Sequence, residues 1–134
     1  MNKRATHYVD EKLDDLPAGL VRTVGRIIAS SRGEENAISR GGLLEAVRRL
    51  PGLGEVEDRQ VRKAIETLRS SGVLIGNMSN GDGYFLISTP EEYAKFRAVY
   101  AARAYAVLEV VKHMDHTAQT QFGQQAGAYQ PGLL

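Results

Sequence analysis

The chain has 134 residues, of which 43% are hydrophobic and 25% charged, and its formal net charge is +1. This composition is typical of a soluble globular protein and not of a disordered or membrane chain. The absence of cysteine excludes a disulfide scaffold and thiolate metal sites. No apolar run approaches the roughly 20 residues that span a bilayer, and no apolar signal segment opens the chain. We therefore expect a cytoplasmic protein without membrane spans.

The N-terminal region combines a charged segment with one amphipathic helix. Residues 1–16 contain few apolar side chains, which predicts a flexible arm. Pro17 suits the first position of a helix, and the Ser30–Gly33 run predicts its end. Between them, apolar residues recur at three- and four-residue spacing, as a helix with one buried face requires. They are Leu20, Val21, Val24, Ile27 and Ile28.

A second helix is predicted between Ser39, a good N-cap residue, and the Pro51-Gly52 pair. Its apolar stripe consists of Leu43, Leu44, Val47 and Leu50. A short extended piece, Ala37-Ile38, precedes it. This helix would be the supporting member of a helix-turn-helix pair, although its connection to the next helix is longer than that motif usually has.

The stretch from Asp58 to Ile87 predicts a third helix followed by a β-hairpin. Asp58 is expected to cap the helix, and Gly72 to end it. The buried stripe would be Val61, Ala64, Ile65 and Leu68. Two apolar runs, 73–75 and 84–87, predict the hairpin strands, because a loop rich in glycine and asparagine separates them.

The exposed side of the third helix carries the main functional signal. Arg59, Arg62, Lys63 and Glu66 fall opposite the buried stripe, with Gln60 and Arg69 on its flanks. Arginine, lysine and glutamine can reach phosphates and base edges in a major groove. The alternative is an ordinary amphipathic helix whose polar face is solvated. The hairpin tip favours that alternative, because the segment from Asn77 to Asn80 has no lysine or arginine.

A fourth helix is predicted from Thr89-Pro90-Glu91-Glu92, which forms a capping box with proline at the first helical position. It should run to about Thr117. Its apolar stripe continues beyond Arg103, where one small domain offers little surface to cover it, and so predicts a homodimer. The dimerisation residues would be Tyr100, Val107, Val111 and Met114. The alternative is a monomer in which this helix folds back on the first helix.

Residues 118–134 are rich in glutamine, glycine and alanine and predict a flexible tail. His113, Asp115 and His116 have no further ligand nearby, so we expect surface polar groups and no metal site. No phosphate-binding glycine loop and no Ser/His/Asp arrangement can be built. We therefore expect neither an enzyme nor a cofactor.

The segments Asp58–Ile65, Leu68-Arg69, Gly72-Val73 and Gly83–Leu86 resemble the winged helix-turn-helix domains of bacterial and phage regulators. The N-terminal domain of biotin-operon-type repressors is similar in its "LR..G" helix end and its "GY.L" strand. The resemblance covers roughly residues 17–89. It implies a winged helix fold and binding to double-stranded DNA, with Arg59, Gln60, Arg62 and Lys63 at the exposed recognition positions. The last five residues resemble the peptide by which replication proteins dock on a sliding clamp, through Gln130, Leu133 and Leu134.

Together these features predict a mainly α protein with a small β-hairpin (α+β). Its parts would be an arm (1–16), a winged helix-turn-helix domain (17–89), a dimerisation helix (90–117) and a tail (118–134). The candidate DNA-binding residues are Ser39, Arg40, Arg59, Gln60, Arg62, Lys63, Glu66, Arg69, Asn77 and Asn80. We expect a prokaryotic or phage regulator of transcription or replication. The alternative is a winged helix that contacts only proteins, as a replisome or assembly adaptor does.

Overall fold

A computed structural model describes residues 3–78 and 80–123. The helices are α1 (Lys3–Asp14), α2 (Leu20–Ala29), α3 (Arg40–Arg48), α4 (Asp58–Ser70) and α5 (Pro90–Phe122). The strands are β1 (Ile38–Ser39), β2 (Ile75–Asn77) and β3 (Gly83–Leu86), and a 3-10 turn spans Glu34–Asn36. The chain divides into two compact units, Met1–Phe96 and Arg97–Leu134.

The core of the first unit is built around α2. This helix packs against α1, α3, α4 and β3, and its buried residues include Val24 and Ile28. The predicted stripe of α4 (Val61, Ala64, Ile65 and Leu68) is buried as expected. Leu43 and Val47 of α3 complete the same cluster. The spacing of apolar residues therefore identified the inner faces of all three helices. The prediction is wrong for Leu50, which lies beyond the end of α3 and is 44% exposed.

The prediction of a flexible N-terminal arm is wrong for the residues that the structure describes. Lys3–Asp14 is helical, and Leu13 is only 1% exposed. Val9, one turn earlier, is buried in the same cluster. Gly25 of α2 makes this contact close, because a methyl group on its Cα would lie 2.5 Å from Leu13 Cδ2. Two apolar residues spaced four apart are enough to dock a helix where the neighbouring surface is shaped for them.

The three strands form one antiparallel sheet in the order β1-β3-β2. Ile38 pairs with Tyr84, and Ile75 pairs with Leu86, so the predicted hairpin is confirmed. Its first strand begins at Ile75 rather than Val73. Gly83 of β3 pairs with Ser39 of β1. The two strands lie so close here that a Cβ at position 83 would be 2.5 Å from the carbonyl oxygen of Ile38.

Several helix boundaries follow the predicted caps and others do not. Ser39 caps α3 through its hydroxyl, which accepts from the Gly42 N–H at 3.0 Å. Thr89 does the same for Glu92 N–H at 3.1 Å. By contrast, α2 begins at Leu20, three residues after Pro17. Glu57, not Asp58, is the N-cap of α4.

Helix α5 extends to Phe122, so residues 118–122, which were predicted to be flexible, are helical. The remainder of the predicted tail, residues 124–134, lies outside the described residues. Across the described chain, no helix is long and apolar enough to cross a membrane. The mainly α architecture with a small antiparallel sheet and a long C-terminal helix is confirmed. The winged helix fold stays a prediction.

Candidate nucleic-acid interface

The outer side of α4 presents a row of charged side chains. Arg59, Arg62, Lys63 and Glu66 are all exposed, opposite the buried stripe that packs against α2. Arg59 and Lys63 lie one helical turn apart and therefore share one edge of this side. The sequence placed these four residues correctly, because a helix with a regular buried stripe fixes the position of every other side chain.

Asp58 joins this row to the start of α3. Its Oδ2 atom accepts a hydrogen bond from Arg40 Nη2 at 3.1 Å and lies 3.0 Å from Arg62 Nε. Arg40 begins α3, and its own N–H donates to the carbonyl of Asp82 in the hairpin loop. Arg40 thus links the start of α3 to the start of α4 through its side chain and to the hairpin loop through its backbone.

Arg59 and Gln60 are both engaged at the N-terminus of α4. Arg59 Nε donates to Glu57 Oε2 at 2.8 Å. The Gln60 side chain accepts from the Glu57 N–H, also at 2.8 Å, and so satisfies a backbone donor at the helix start. Gln60 therefore has a structural task, whereas Arg59 remains largely exposed and can exchange a surface partner at small cost.

Arg69 connects the end of α4 to the hairpin instead of pointing freely into solvent. Its Nε donates to the Ile75 carbonyl at 3.0 Å, and its Nη2 donates to Asn77 Oδ1 at 2.9 Å. Its guanidinium also lies over the ring of Phe96, 5.0 Å from the ring centre. These contacts hold Arg69 and Asn77 to the fold, so we assign neither of them a primary role in ligand contact.

The hairpin loop offers polar but uncharged contacts at its tip. Asn80 Oδ1 accepts from the Asp82 N–H at 2.9 Å, which closes a local turn of the kind that asparagine favours. Ser39 is exposed beside this loop but uses its hydroxyl as the α3 cap. Among the described residues of the loop, 78 and 80–82, there is no cation, as the sequence indicated.

The local charge balance is nearly even. Four cations (Arg40, Arg59, Arg62 and Lys63) lie with three carboxylates (Glu57, Asp58 and Glu66) on these two helix starts and the outer side of α4. The two carboxylates at the start of α4 suit the helix dipole. They also neutralise part of the positive potential through their ion pairs with Arg40, Arg59 and Arg62. The strength of these ion pairs therefore limits the attraction of the surface for phosphate.

Sequence reasoning missed a second polar cluster, at the start of α5. Glu92 accepts hydrogen bonds from the Ser88 N–H at 2.8 Å and from the Glu34 N–H at 2.9 Å. Burial alone would raise the pKa of Glu92, but hydrogen bonds from Ser88, Glu34 and Thr89 outweigh it and lower that pKa below its ordinary value. Lys95 completes the cluster, 3.2 Å from Glu34. This arrangement fastens α5 to the turn after α2.

The predicted dimerisation residues lie on the solvent-exposed part of α5. Tyr100, Val107, Val111 and Met114 are all exposed, with Met114 at 65%. His113 lies 3.5 Å from Glu109 on the same helix. Within the described part of the chain, no group of three or more histidine or carboxylate side chains could hold a metal ion. The proposed clamp contacts Gln130, Leu133 and Leu134 lie outside the described residues.

Comparison with known proteins adds no family to this description. No family model, no curated protein and no solved structure matches the chain. Any functional assignment therefore depends on the residues and contacts described above.

Proposed function

We propose that residues 17–89 form a winged helix domain that binds double-stranded DNA through the outer side of α4. The supporting feature of the fold is its element order, helix–strand–helix–helix–strand–strand, with β1 paired to β3 in one small sheet. In this assignment α3 and α4 are the helix-turn-helix pair, and the loop between β2 and β3 is the wing. A cytoplasmic regulator of transcription or replication in a prokaryote or phage is the corresponding role.

One observation carries the proposal: arginines from two different helices converge on Asp58, beside the other exposed cations of α4. Arg40 and Arg62 both contact Asp58, while Arg59 and Lys63 are exposed next to them. Guanidinium groups recognise phosphate and guanine in a fork geometry that lysine cannot reproduce. An α-helix fits the major groove, so the outer side of α4 is the surface that would enter it.

Salt dependence of DNA binding tests the proposal. We expect Arg59→Ala with Lys63→Ala to weaken binding to a mixed-sequence duplex and to lower the magnitude of the salt slope by about one for each phosphate that the variant no longer neutralises. Fluorescence anisotropy at several salt concentrations measures both quantities. Arg22→Ala with Arg26→Ala is the matched control, because it removes the same number of positive charges from α2, which packs on the opposite side of α4. Equal binding by all three proteins, or none at low salt, would refute DNA binding by this surface.

A protein-binding role for the same domain is the second candidate. It is favoured by the uncharged hairpin tip and by the carboxylates that already pair Arg40, Arg59 and Arg62. In that case the exposed charges only keep the surface solvated. It predicts no DNA binding at low salt from a folded wild-type protein, which distinguishes it from the first candidate.

We also propose that α5 pairs with α5 of a second copy. Tyr93, Tyr100, Val107 and Met114 follow one another at a spacing of seven residues, which supplies one of the two apolar positions in the heptad of paired helices. Two domains held in this way would reach two half-sites on a duplex. Val107→Asp with Met114→Asp should convert a dimer to a monomer in sedimentation equilibrium, with Lys112→Asp as the control. A wild-type chain that sediments as a monomer would refute the pairing.

A further inference from the structure

We propose that Asp58 is a built-in counter-anion that occupies the place of a DNA phosphate between Arg40 and Arg62 and limits the affinity of the interface. The inference rests on the proposed DNA-binding function and adds a regulatory contact to it. The two arginine nitrogens lie 3.1 and 3.0 Å from the same carboxylate oxygen. One oxygen atom therefore orients two guanidinium groups that belong to different helices.

Two arginines on one carboxylate leave an excess of positive charge at this point. The guanidinium groups repel each other, and the carboxylate offsets that repulsion only in part. A DNA phosphodiester shares one negative charge between two oxygens and accepts the same hydrogen bonds from arginine as a carboxylate does. The pair of arginines is therefore arranged to accept a second anion or to exchange the first one.

Access to this site is open. The side chains of Arg40, Asp58 and Arg62 are 41%, 39% and 57% exposed, so an approaching backbone can reach them without unfolding any element. Asp58 itself is held in place, because it is the first residue of α4 and the helix dipole favours a carboxylate there. A phosphate must then compete with a fixed negative charge, which weakens binding without blocking it.

The test changes the charge of Asp58 and keeps its shape. We expect Asp58→Asn to tighten binding to a labelled mixed-sequence duplex on the order of two- to five-fold at low salt, the range that exposed ion-pair couplings give. The salt slope should steepen by about one, because an additional phosphate is neutralised. The gain should disappear when Arg62→Ala is added, since the released arginine is then missing.

Glu45→Gln is the matched control. Glu45 pairs with Arg49 at 2.5 Å on the exposed surface of α3, so this change alters the net charge by the same amount and also releases one arginine. We expect it to leave DNA affinity nearly unchanged, which separates a local effect from a global one. Asp58→Ser, which removes the same charge and leaves the N-cap Glu57 in place, serves if the asparagine variant fails to fold by circular dichroism.

Each outcome decides between the two hypotheses. If Arg59→Ala with Lys63→Ala weakens binding but folded Asp58→Asn does not tighten it, Asp58 is a structural contact and the inference fails while the proposed function stands. If Asp58→Asn and Glu45→Gln tighten binding equally, only net charge matters and the inference also fails. If the wild type and every variant fail to bind, both the inference and the proposed function are wrong.

Discussion

Helix α1 should stabilise the domain mainly through Leu13, the more deeply buried of its two core residues, which lies against Gly25. Leu13 is 1% exposed, and truncation of a buried leucine to alanine costs about 2–5 kcal/mol, because apolar burial is removed and a cavity is left behind. Leu13→Ala should therefore lower the free energy of unfolding by that amount. Leu74→Ala is the control, because Leu74 is 47% exposed and should lose well under half as much.

Gly25→Ala tests the same contact from the side of α2, the helix on which Leu13 packs. Alanine is favoured over glycine in a helix by about 1 kcal/mol, but its methyl group would lie 2.5 Å from Leu13 Cδ2 and 3.0 Å from Leu68 Cδ2. Such overpacking typically costs about 1–3 kcal/mol. The single substitution should therefore be neutral to destabilising by about 2 kcal/mol, with the Leu13 contact as the larger cause.

The double mutant reveals whether these two residues touch. In a Leu13→Ala background the Gly25→Ala methyl group meets open space where the Leu13 side chain was, so its overpacking penalty should fall. We expect the double mutant to lose less stability than the sum of the two single-mutant losses, with a coupling free energy of about 1 kcal/mol. Urea denaturation followed by circular dichroism measures all four proteins. Additive effects, or a Leu13→Ala cost below about 0.5 kcal/mol, would refute the docking of α1.

Three further predictions concern the hairpin and the start of α5. Arg69→Lys keeps the charge but loses the fork that reaches Ile75 and Asn77, so urea denaturation should show a loss of about 1–3 kcal/mol; an effect as small as that of the exposed Arg49→Lys would contradict this role. Gly83→Ala should destabilise by about 1–3 kcal/mol, because its Cβ would lie 2.5 Å from a backbone oxygen, whereas Gly41→Ala, with nothing within 4 Å, should be neutral or stabilising. The pKa of Glu92 is lowered in the folded state, so its contribution to stability is present above its unfolded pKa and is lost as the pH falls through the folded value. The stability advantage of wild type over Glu92→Gln, measured by thermal unfolding, should therefore shrink below about pH 4.5, the ordinary value of the group; a constant difference would contradict it.

The inner faces of α2, α3 and α4 were predictable because helical periodicity is a local property of the sequence. Val61, Ile65 and Leu68 repeat at the spacing that one buried face requires, and the structure buries them. The hairpin was predictable for a similar reason, since glycine and asparagine permit the tight turn between two apolar runs. Helix boundaries were less predictable than buried faces. Pro17 is compatible with a helix start but does not enforce one, and α2 begins at Leu20.

The role of the N-terminal helix could not be predicted from its own residues. Val9 and Leu13 are too few to indicate a buried face, and the charged residues around them suit a flexible arm equally well. Docking depends on Gly25, twelve residues later, whose missing side chain leaves room for Leu13. Such complementarity exists only between two elements that have already been placed side by side.

The candidate interface was likewise predictable from the sequence only in part. The sequence by itself determined which side of α4 is exposed and that arginine and lysine occupy it, because position along a helix fixes direction. Only the tertiary structure decided the contacts between separate elements: Arg69 bonds to the hairpin, and Arg40 of α3 shares Asp58 with Arg62 of α4. Hydrogen bonds and ion pairs between distant residues depend on how elements pack, and no local pattern in the chain specifies that packing.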